Sequence, residues 1–441
     1  MRLLKTIIWI FLIAGSLTAQ GFDAKSLGFA DNYSAISRGV QAMPWNPANL
    51  GLERGNTFEL NLASFNIALY NNSFSLSEYN RYFTKEGNGG KKYSEADKQA
   101  ILDLIPDGGF RAISNAGVNA FGVAYNNFGF AVQIIEQGQA VAGVSKELLE
   151  IAFNGPTFTT DYYLHDNNPI SGASFAAMKI SAGYAYPLKP NKIKFLKFLR
   201  KHVSLISVGM NVNYYLGGAA AKIESSELKI KRFGANNDSV SYLTKIVGVS
   251  SATESGSPTG RGFGLDIGAV AKYKERWFFS LSFSNLFASI KWTENVERFA
   301  LEESGEIAIL GDSNEDKEVS IDTTYTIDQF ETKLPTVMRA GASYKLLDNL
   351  TLVAEWRQGF DDYINNTTTP RVGVGAEYYP LPWLPLRGGL AVGGTHGFQF
   401  GLGTGVKVGF FEFDMSYAVI NSLWPTASEG IFAAFGFKLQ F

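Results

Sequence analysis

The chain has 441 residues, of which 46% are apolar, 14% aromatic and only 18% charged, with 46 glycines and 34 phenylalanines. Soluble domains carry about 25% charged residues and roughly 7% glycine, so this composition suits a protein whose outer face meets lipid. The balance of 39 basic against 41 acidic side chains excludes a sequence-wide field for nucleic acid. The absence of cysteine excludes disulfides, thiolate metal sites, a cysteine nucleophile and a lipidated N-terminus.

In chain order, Arg2 and Lys5 precede an apolar run from Ile7 to Ala14, and Thr18-Ala19 offers a small-residue cleavage site. This predicts a signal peptide over residues 1–19, with the cut fixed only to within a few residues because Leu17 stands at the −3 position. The competing reading, an N-terminal membrane anchor, needs the ~20 apolar residues of a bilayer span, which this run lacks. Past residue 20 no apolar stretch of that length recurs. A chain that enters a membrane without apolar helices has one way to satisfy its backbone polar groups, which is a closed β-barrel.

Period-2 alternation identifies the strands. Leu350, Leu352, Ala354 and Trp356 share one face while Thr351, Glu355 and Arg357 share the other. Near the C-terminus, Ile431, Ala433, Phe435, Phe437, Leu439 and Phe441 alternate with Phe432, Gly436, Lys438 and Gln440. Apolar-out, polar-in segments of about ten residues mark a transmembrane barrel. The template predicts an all-β, antiparallel barrel over residues 57–441. Its fourteen strands cover 57–70, 112–125, 128–137, 172–187, 203–217, 260–273, 277–291, 335–345, 350–360, 371–379, 385–393, 397–408, 411–420 and 430–441. The connections alternate: 126–127, 188–202, 274–276, 346–349, 380–384 and 409–410 are short, whereas 71–111, 138–171, 218–259 and 292–334 are long. Short turns belong on the periplasmic side and long loops outside, which predicts an outer-membrane location with both termini periplasmic. In the strand at 277–291 the apolar phase changes from odd (Trp277, Phe279, Leu281, Phe283) to even (Leu286, Ala288, Ile290, Trp292). Such a change of face requires an extra residue, so a bulge is predicted near Ser284-Asn285.

Three hairpins carry a testable register. Pairing Val408 with Phe411 sets Lys407 opposite Glu412 around a Gly409-Phe410 turn. Pairing Tyr344 with Leu350 sets Arg339 opposite Glu355, and pairing Tyr378 with Leu386 sets Glu377 opposite Arg387. These lumen charges either neutralise one another as filling or form a polar constriction or substrate contact. In the long loops, Ser94 to Ile105 begins with a capping-box pattern (Ser94, Asp97), and Ser145 to Phe153 carries a second helical pattern. The acidic run Glu294, Glu297, Glu302, Glu303, Glu306, Asp312, Glu315, Asp316 and Glu318 reads as a solvated loop, with cation capture as the alternative. The basic, apolar-interleaved turn at 188–202 fits an anchor at an anionic lipid interface or a docking site for a periplasmic partner.

No catalytic constellation can be read. His165, His202 and His396 have no metal-ligand spacing, and no nucleophile is grouped with an acid–base partner. Gly401-Leu-Gly-Thr-Gly405 lies inside an alternating strand with no helix after it, so it is not a phosphate loop. Neither an enzyme nor a cofactor is expected.

Between the signal and the first strand, the stretch Ser26-Leu-Gly-Phe-Ala through Ser37-Arg-Gly-Val-Gln-Ala-Met-Pro-Trp-Asn-Pro-Ala-Asn-Leu50 ends in Asn46-Pro47-Ala48. It resembles the N-terminal hatch of the FadL family of outer-membrane transporters and of related Bacteroidetes barrels, including the PorV subgroup of type IX secretion. The run from Arg371 to Leu390, with Tyr378-Tyr-Pro-Leu-Pro-Trp-Leu-Pro385 within it, is similar to a late part of that barrel. The resemblance implies a fourteen-stranded barrel whose residues 20–56 form a movable plug, with Asn46, Pro47 and Ala48 at the motif; a plain turn into strand one is the other reading of that tripeptide. It also implies passive uptake of small hydrophobic molecules that leave sideways through a gap in the wall. The alternatives are a PorV-like barrel binding secreted or surface proteins, and a general porin. The terminal Phe441 resembles the signal read by the outer-membrane assembly machinery.

Overall fold

The computed structural model describes residues 23–53, 55, 57–106, 109–142, 153, 162–163, 170–190, 202–233, 239–254, 256–308, 317–364 and 366–441. The expected signal peptide, the helix expected at 145–153 (Phe153 apart) and most of the basic turn at 188–202 lie outside these residues. Nineteen strands belong to one sheet. They are β1 (Phe58–Asn71), β2 (Phe110–Tyr125), β3 (Phe128–Ala142), β4 (Tyr162–Tyr163), β5 (Ile170–Leu188), β6 (Val203–Phe233) and β7 (Ser239–Ala252). There follow β8 (Gly260–Tyr273), β9 (Trp277–Trp292), β10 (Val296–Ala308), β11 (Lys317–Thr326), β12 (Phe330–Lys333) and β13 (Val337–Leu347). The last are β14 (Leu350–Gly359), β15 (Arg371–Leu381), β16 (Leu384–Gly393), β17 (Phe398–Val408), β18 (Phe411–Ile420) and β19 (Gly430–Gln440).

Fourteen of them close a ring. Antiparallel ladders run β1–β2–β3–β5–β6–β8–β9–β13, then β14 to β19 in order. β19 returns to β1 from Glu59↔Gln440 to Tyr70↔Gly430. The fold is therefore a fourteen-stranded antiparallel barrel, as the alternation predicts. Outward positions are large and apolar, such as Ile67, Leu69, Met210, Phe279, Trp356, Val374 and Phe435, and all are exposed to the surroundings. Inward positions are polar and buried, among them Asn61, Ser64, Asn213, Asp266, Ser282 and Asp414. Aromatic rings gather at the end with short turns, where Trp277 stacks on Tyr344 at 4.4 Å and Phe410 on Phe441 at 5.5 Å, as expected of a membrane-interface girdle.

Loop readings fare unevenly. Four helices are described: α1 (Ala24–Gly28), α2 (Leu76–Phe83), α3 (Lys85–Asn88) and α4 (Glu95–Leu104). α4 starts at Ser94, whose side chain and that of Asp97 form the expected capping box. The long connections 218–259 and 292–334 are not simply loops. β6 continues past the wall, its far half pairs with β7, β7 with β10, and β10 with β11, which makes a projecting antiparallel sheet. The acidic run is accordingly corrected: Glu297, Glu302, Glu303 and Glu306 lie on β10 and Glu318 on β11. Basic residues on adjacent strands compensate them in part, with Lys245 3.5 Å from Glu302. Arg298 within the run bonds Glu224 of β6 at 2.7 Å. Cross-strand charge pairing makes this composition compatible with a sheet.

Hairpin registers depend on turn chemistry. Val408 faces Phe411 and Lys407 faces Glu412 around Gly409, whose φ of +58° matches a glycine-led two-residue turn. Tyr378 faces Leu386 and Glu377 faces Arg387. The third register is corrected: Tyr344 faces Leu352, and Arg339 faces Arg357 rather than Glu355. The turn contracts to Asp348-Asn349 with Leu347 opposite Leu350, and an irregularity between Lys345 and Leu347 shifts the ladder. The shift is even, so every residue keeps its face; Arg339 reaches Glu355 diagonally at 3.5 Å.

At the turn-side end of the lumen, Arg387 donates to Glu377 at 2.8 Å and to Asp414 at 2.6 Å. Lys25 from the N-terminal segment bonds Glu412, and Lys438 lies 3.6 Å from Glu412 and 3.8 Å from Glu59. Lys407, although opposite Glu412, is exposed. Removing one partner of such a buried pair costs roughly 3–5 kcal/mol, because the other charge is stranded. Arg387→Met is therefore expected to lower unfolding stability by about that much, measured by urea titration in lipid vesicles, while Arg387→Met combined with Asp414→Leu recovers part of the loss, Glu377 still lacking its partner. A single substitution without effect would show that these charges are solvated. Deleting residues 432–441 removes the strand that closes the ring, and is expected to abolish heat-modifiable gel migration; unchanged migration would contradict the closed barrel.

Candidate functional site

Residues 23–52 lie inside the ring, in contact with β1, β2, β3, β5, β6 and β8 and with β16 to β19. Leu27, Phe29, Ala30, Ala48 and Leu50 are fully buried there. A segment with little regular structure must satisfy its backbone by other means, and its Asn, Ser and Asp side chains do so. Asp23 caps α1 by accepting from Lys25 N at 2.8 Å and Ser26 N at 2.9 Å. Asn32 Nδ2 donates to Phe29 O at 2.7 Å and reaches Leu390 O of the wall at 3.2 Å. Asn49 Nδ2 donates to Ser34 O and Ser37 Oγ. Wall side chains complete the set: Glu355 Oε2 accepts from Ser34 N at 2.7 Å, Glu59 Oε1 from Val40 N at 3.0 Å, and Ser282 Oγ donates to Trp45 O at 2.8 Å.

Asn46, Pro47 and Ala48 come together at one wall contact. Asn46 Oδ1 accepts from Ala48 N at 3.0 Å, capping the 3₁₀ turn Pro47–Gly51, while its Nδ2 donates to Ala269 O of β8 at 3.0 Å. The wall has glycine where this turn touches it. A Cβ on Gly209 would stand 2.5 Å from Pro47 C and Ala48 N, and one on Gly268 would collide with Asn46 Oδ1.

Between this segment and the long-loop end lies a narrow polar cavity of about 100 Å³, floored by Pro44 and Trp45. Arg339 lies 4.5 Å over the Trp45 ring. Arg339, Arg357 and Arg371 occupy directly opposed positions on β13, β14 and β15. Arg371 donates to Ala30 O and, at 2.8 Å, to Gln399 Oε1. Lys179 lies 3.9 Å from Asp266. The loop after β14 folds back over the cavity, with Asn366 Oδ1 accepting from Arg357 at 3.0 Å. His396, in the turn between β16 and β17, packs edge-on against Tyr70 at 4.5 Å. Burial, reinforced by the Arg371 and Arg357 guanidiniums, holds its imidazole well below the usual range, hence neutral.

The same cavity reaches an interruption in the wall. β9 pairs with β13 up to Ser284↔Val337 and resumes with β12 at Ser289↔Lys333. Toward β8 the register of β9 slips twice, between Phe263↔Ser289 and Ile267↔Phe283. Asn285 and Phe287 both have positive φ, +58° and +55°, and Phe287 is 91% exposed on the outside. This is the bulge implied by the change of apolar phase. Pro335 facing it has no N–H to give, so one backbone bond, Leu334 N to Ala288 O at 2.9 Å, and two side-chain bonds span the gap: Asn285 Nδ2 donates to Pro335 O at 3.0 Å, and Thr336 Oγ1 to Asn285 O at 3.1 Å. Asp266 Oδ1 accepts from Asn285 N at 2.8 Å.

Of the six charges singled out from sequence, Glu377 and Arg387 are bonded, Arg339 and Glu355 are diagonal partners, and Lys407 and Glu412 are opposed without bonding. Sequence reasoning missed Asp414, two residues beyond Glu412 on the inward face, and Lys25, whose partner is 387 residues away. It also missed Arg371 as a neighbour of Arg357. Among the described residues no group of three or more His, Asp or Glu is placed to hold a metal ion.

No curated protein matches the sequence. Among solved structures, the crystal structure of the Pseudomonas putida toluene transporter TodX superposes with a TM-score of 0.54 at 10% identity, over 96% of this chain and 99% of that one. A TodX variant described as the deltaS2S3 mutant monoaromatic hydrocarbon channel gives 0.52 at 11% identity, over 96% and 99%. Likeness at such identity establishes the shared fold alone. A family model, described as a family of unknown function (DUF5723), matches residues 47–416, and the chain accordingly belongs to that family.

Proposed function

We propose that the chain is an outer-membrane channel for the passive uptake of small, largely apolar molecules, with residues 20–56 as its hatch and both termini in the periplasm. One observation carries the reading: the cavity above Trp45 extends to Ser284, Asn285 and Pro335, where the wall ladder is broken. A molecule entering from the long-loop side meets the hatch below it and a side-chain-latched break beside it. Leaving through the wall into lipid requires the Asn285 and Thr336 side-chain bonds and the single backbone bond from Leu334 N to Ala288 O to part, whereas descending requires the buried segment 23–52 to move. The toluene transporter with the same fold supports the substrate class. The projecting sheet of β6, β7, β10 and β11 favours a second role, holding a protein at the outer face, as in the PorV-like alternative.

Two measurements test the passage. Removing residues 21–50 behind an intact signal is expected to leave a folded barrel with a larger single-channel conductance in planar bilayers. Equal conductance would show that the segment is no hatch. Cells carrying the chain are expected to take up labelled toluene faster than cells without it, and Ser284→Trp, which fills the cavity beside the break, to remove most of that gain. Uptake indifferent to both the chain and the substitution would leave protein binding as the role.

A further inference from the structure

Charge pairing in the outer cavity is uneven. Lys179 has Asp266 and Arg339 has Glu355. Two further guanidiniums remain, Arg357 and Arg371, and the carboxylates nearest them are engaged by amides: Asp31 accepts from Gln399 Nε2 at 3.2 Å, and Asp361 of the covering loop accepts from Asn366 Nδ2 at 2.9 Å. Arg371 is held by neutral oxygens, Ala30 O and Gln399 Oε1. Among the described residues Arg357 has only the amide oxygen of Asn366, and it stands directly opposite a second arginine on each side. Like charges directly opposed across a sheet repel, and the neutral His396 adds no anion. Three forked donors thus converge on one polar cavity, and neither Arg357 nor Arg371 bonds a carboxylate among the described residues. Guanidinium groups in this arrangement match the paired oxygens of a carboxylate, sulfonate or phosphate.

We infer that this cavity is an oxyanion site centred on Arg357, with Arg339 and Arg371 beside it and Trp45 as its floor. It is built on three adjacent wall strands and closed from above by the loop carrying Asn366, so the ligand is a compact anionic group. The site deepens the passage reading by giving its substrates a charged head: the oxyanion rests on the arginines, and an apolar remainder faces Pro335 and the wall break. Free sulfate or phosphate presents the same chemistry without the apolar remainder.

The test uses the full chain purified in detergent, titrated calorimetrically with sodium benzoate, sodium sulfate and toluene, with sodium chloride at matched ionic strength as the reference. Saturable binding of at least one oxyanion is expected, weakened roughly tenfold or more in Arg357→Gln, the consequence of losing a charged hydrogen bond. Without ligand, Arg357→Gln is expected to unfold at a higher temperature than the parent, because it relieves the arginine repulsion. Arg371→Gln serves as the second variant if the first loses heat-modifiable migration. Benzoate binding without sulfate binding assigns the site to anionic heads of apolar substrates, and sulfate binding assigns it to free anions; both support the site. It is overturned if no oxyanion binds beyond chloride, if toluene binds as tightly as benzoate, or if both variants bind as the parent does. Binding is read without permeation, so a chain that binds the anion yet passes nothing overturns the passage and leaves the site standing.

Discussion

Lipid offers no partner to a peptide N–H or C=O, and everything else in this molecule follows from meeting that constraint within one closed ring. The ladder of β1 with β19 completes it, which is why alternating apolar residues continue to the last positions of the chain. Where the ladder fails, between Ser284 and Ser289 on β9, proline supplies a residue with no donor to bury, and Asn285 carries the bonds that the backbone does not. The break is thus compatible with the membrane without being part of the sheet.

Closing the ring creates a lumen, and the lumen is filled by a segment too irregular to form its own ladders. Asn32, Asn46 and Asn49 replace secondary structure with side-chain amides, and the wall answers with glycine at 209 and 268 so that the backbone approaches closely. The two ends of the lumen then differ in kind. Toward the short turns, Arg387, Asp414, Glu412, Lys25 and Lys438 neutralise one another and tie the segment to the wall. Toward the long loops, the arginines of β13, β14 and β15 are only partly neutralised. A compensated base beneath a cavity whose arginines are only partly paired suits a site that waits for a ligand.

The barrel was legible in the sequence because its physics is local: period-2 alternation, alternating connection lengths and the change of apolar phase at Ser284-Asn285 each lie within one or two strands. The register at Gly409-Phe410 was legible for the same reason. The β13–β14 register was not, since a tight Asp348-Asn349 turn with a compensating irregularity and a wider turn preserve the same faces. The projecting strands β7, β10 and β11 escaped notice because polar residues fall on both of their faces, as in Glu302-Glu303-Ser304 of β10 and Asp322-Thr323-Thr324 of β11, and break the apolar alternation. The buried network escaped for a different reason: Lys25 and Glu412, or Ala30 and Arg371, meet only once the ring is closed, and no spacing along the chain encodes that meeting.

The uninterrupted length of β6 sets how far the protein stands out from its membrane. Its wall portion ends where pairing with β8 stops at Gly217, and residues 218–233, at roughly 3.3 Å each, run about 50 Å further along the strand direction. Even tilted by the roughly 40° typical of barrel strands, that is a rigid spur several tens of ångströms tall. In the proposed orientation, anything arriving from outside, whether an antibody, a phage tail or a neighbouring cell, meets these strands before the lumen.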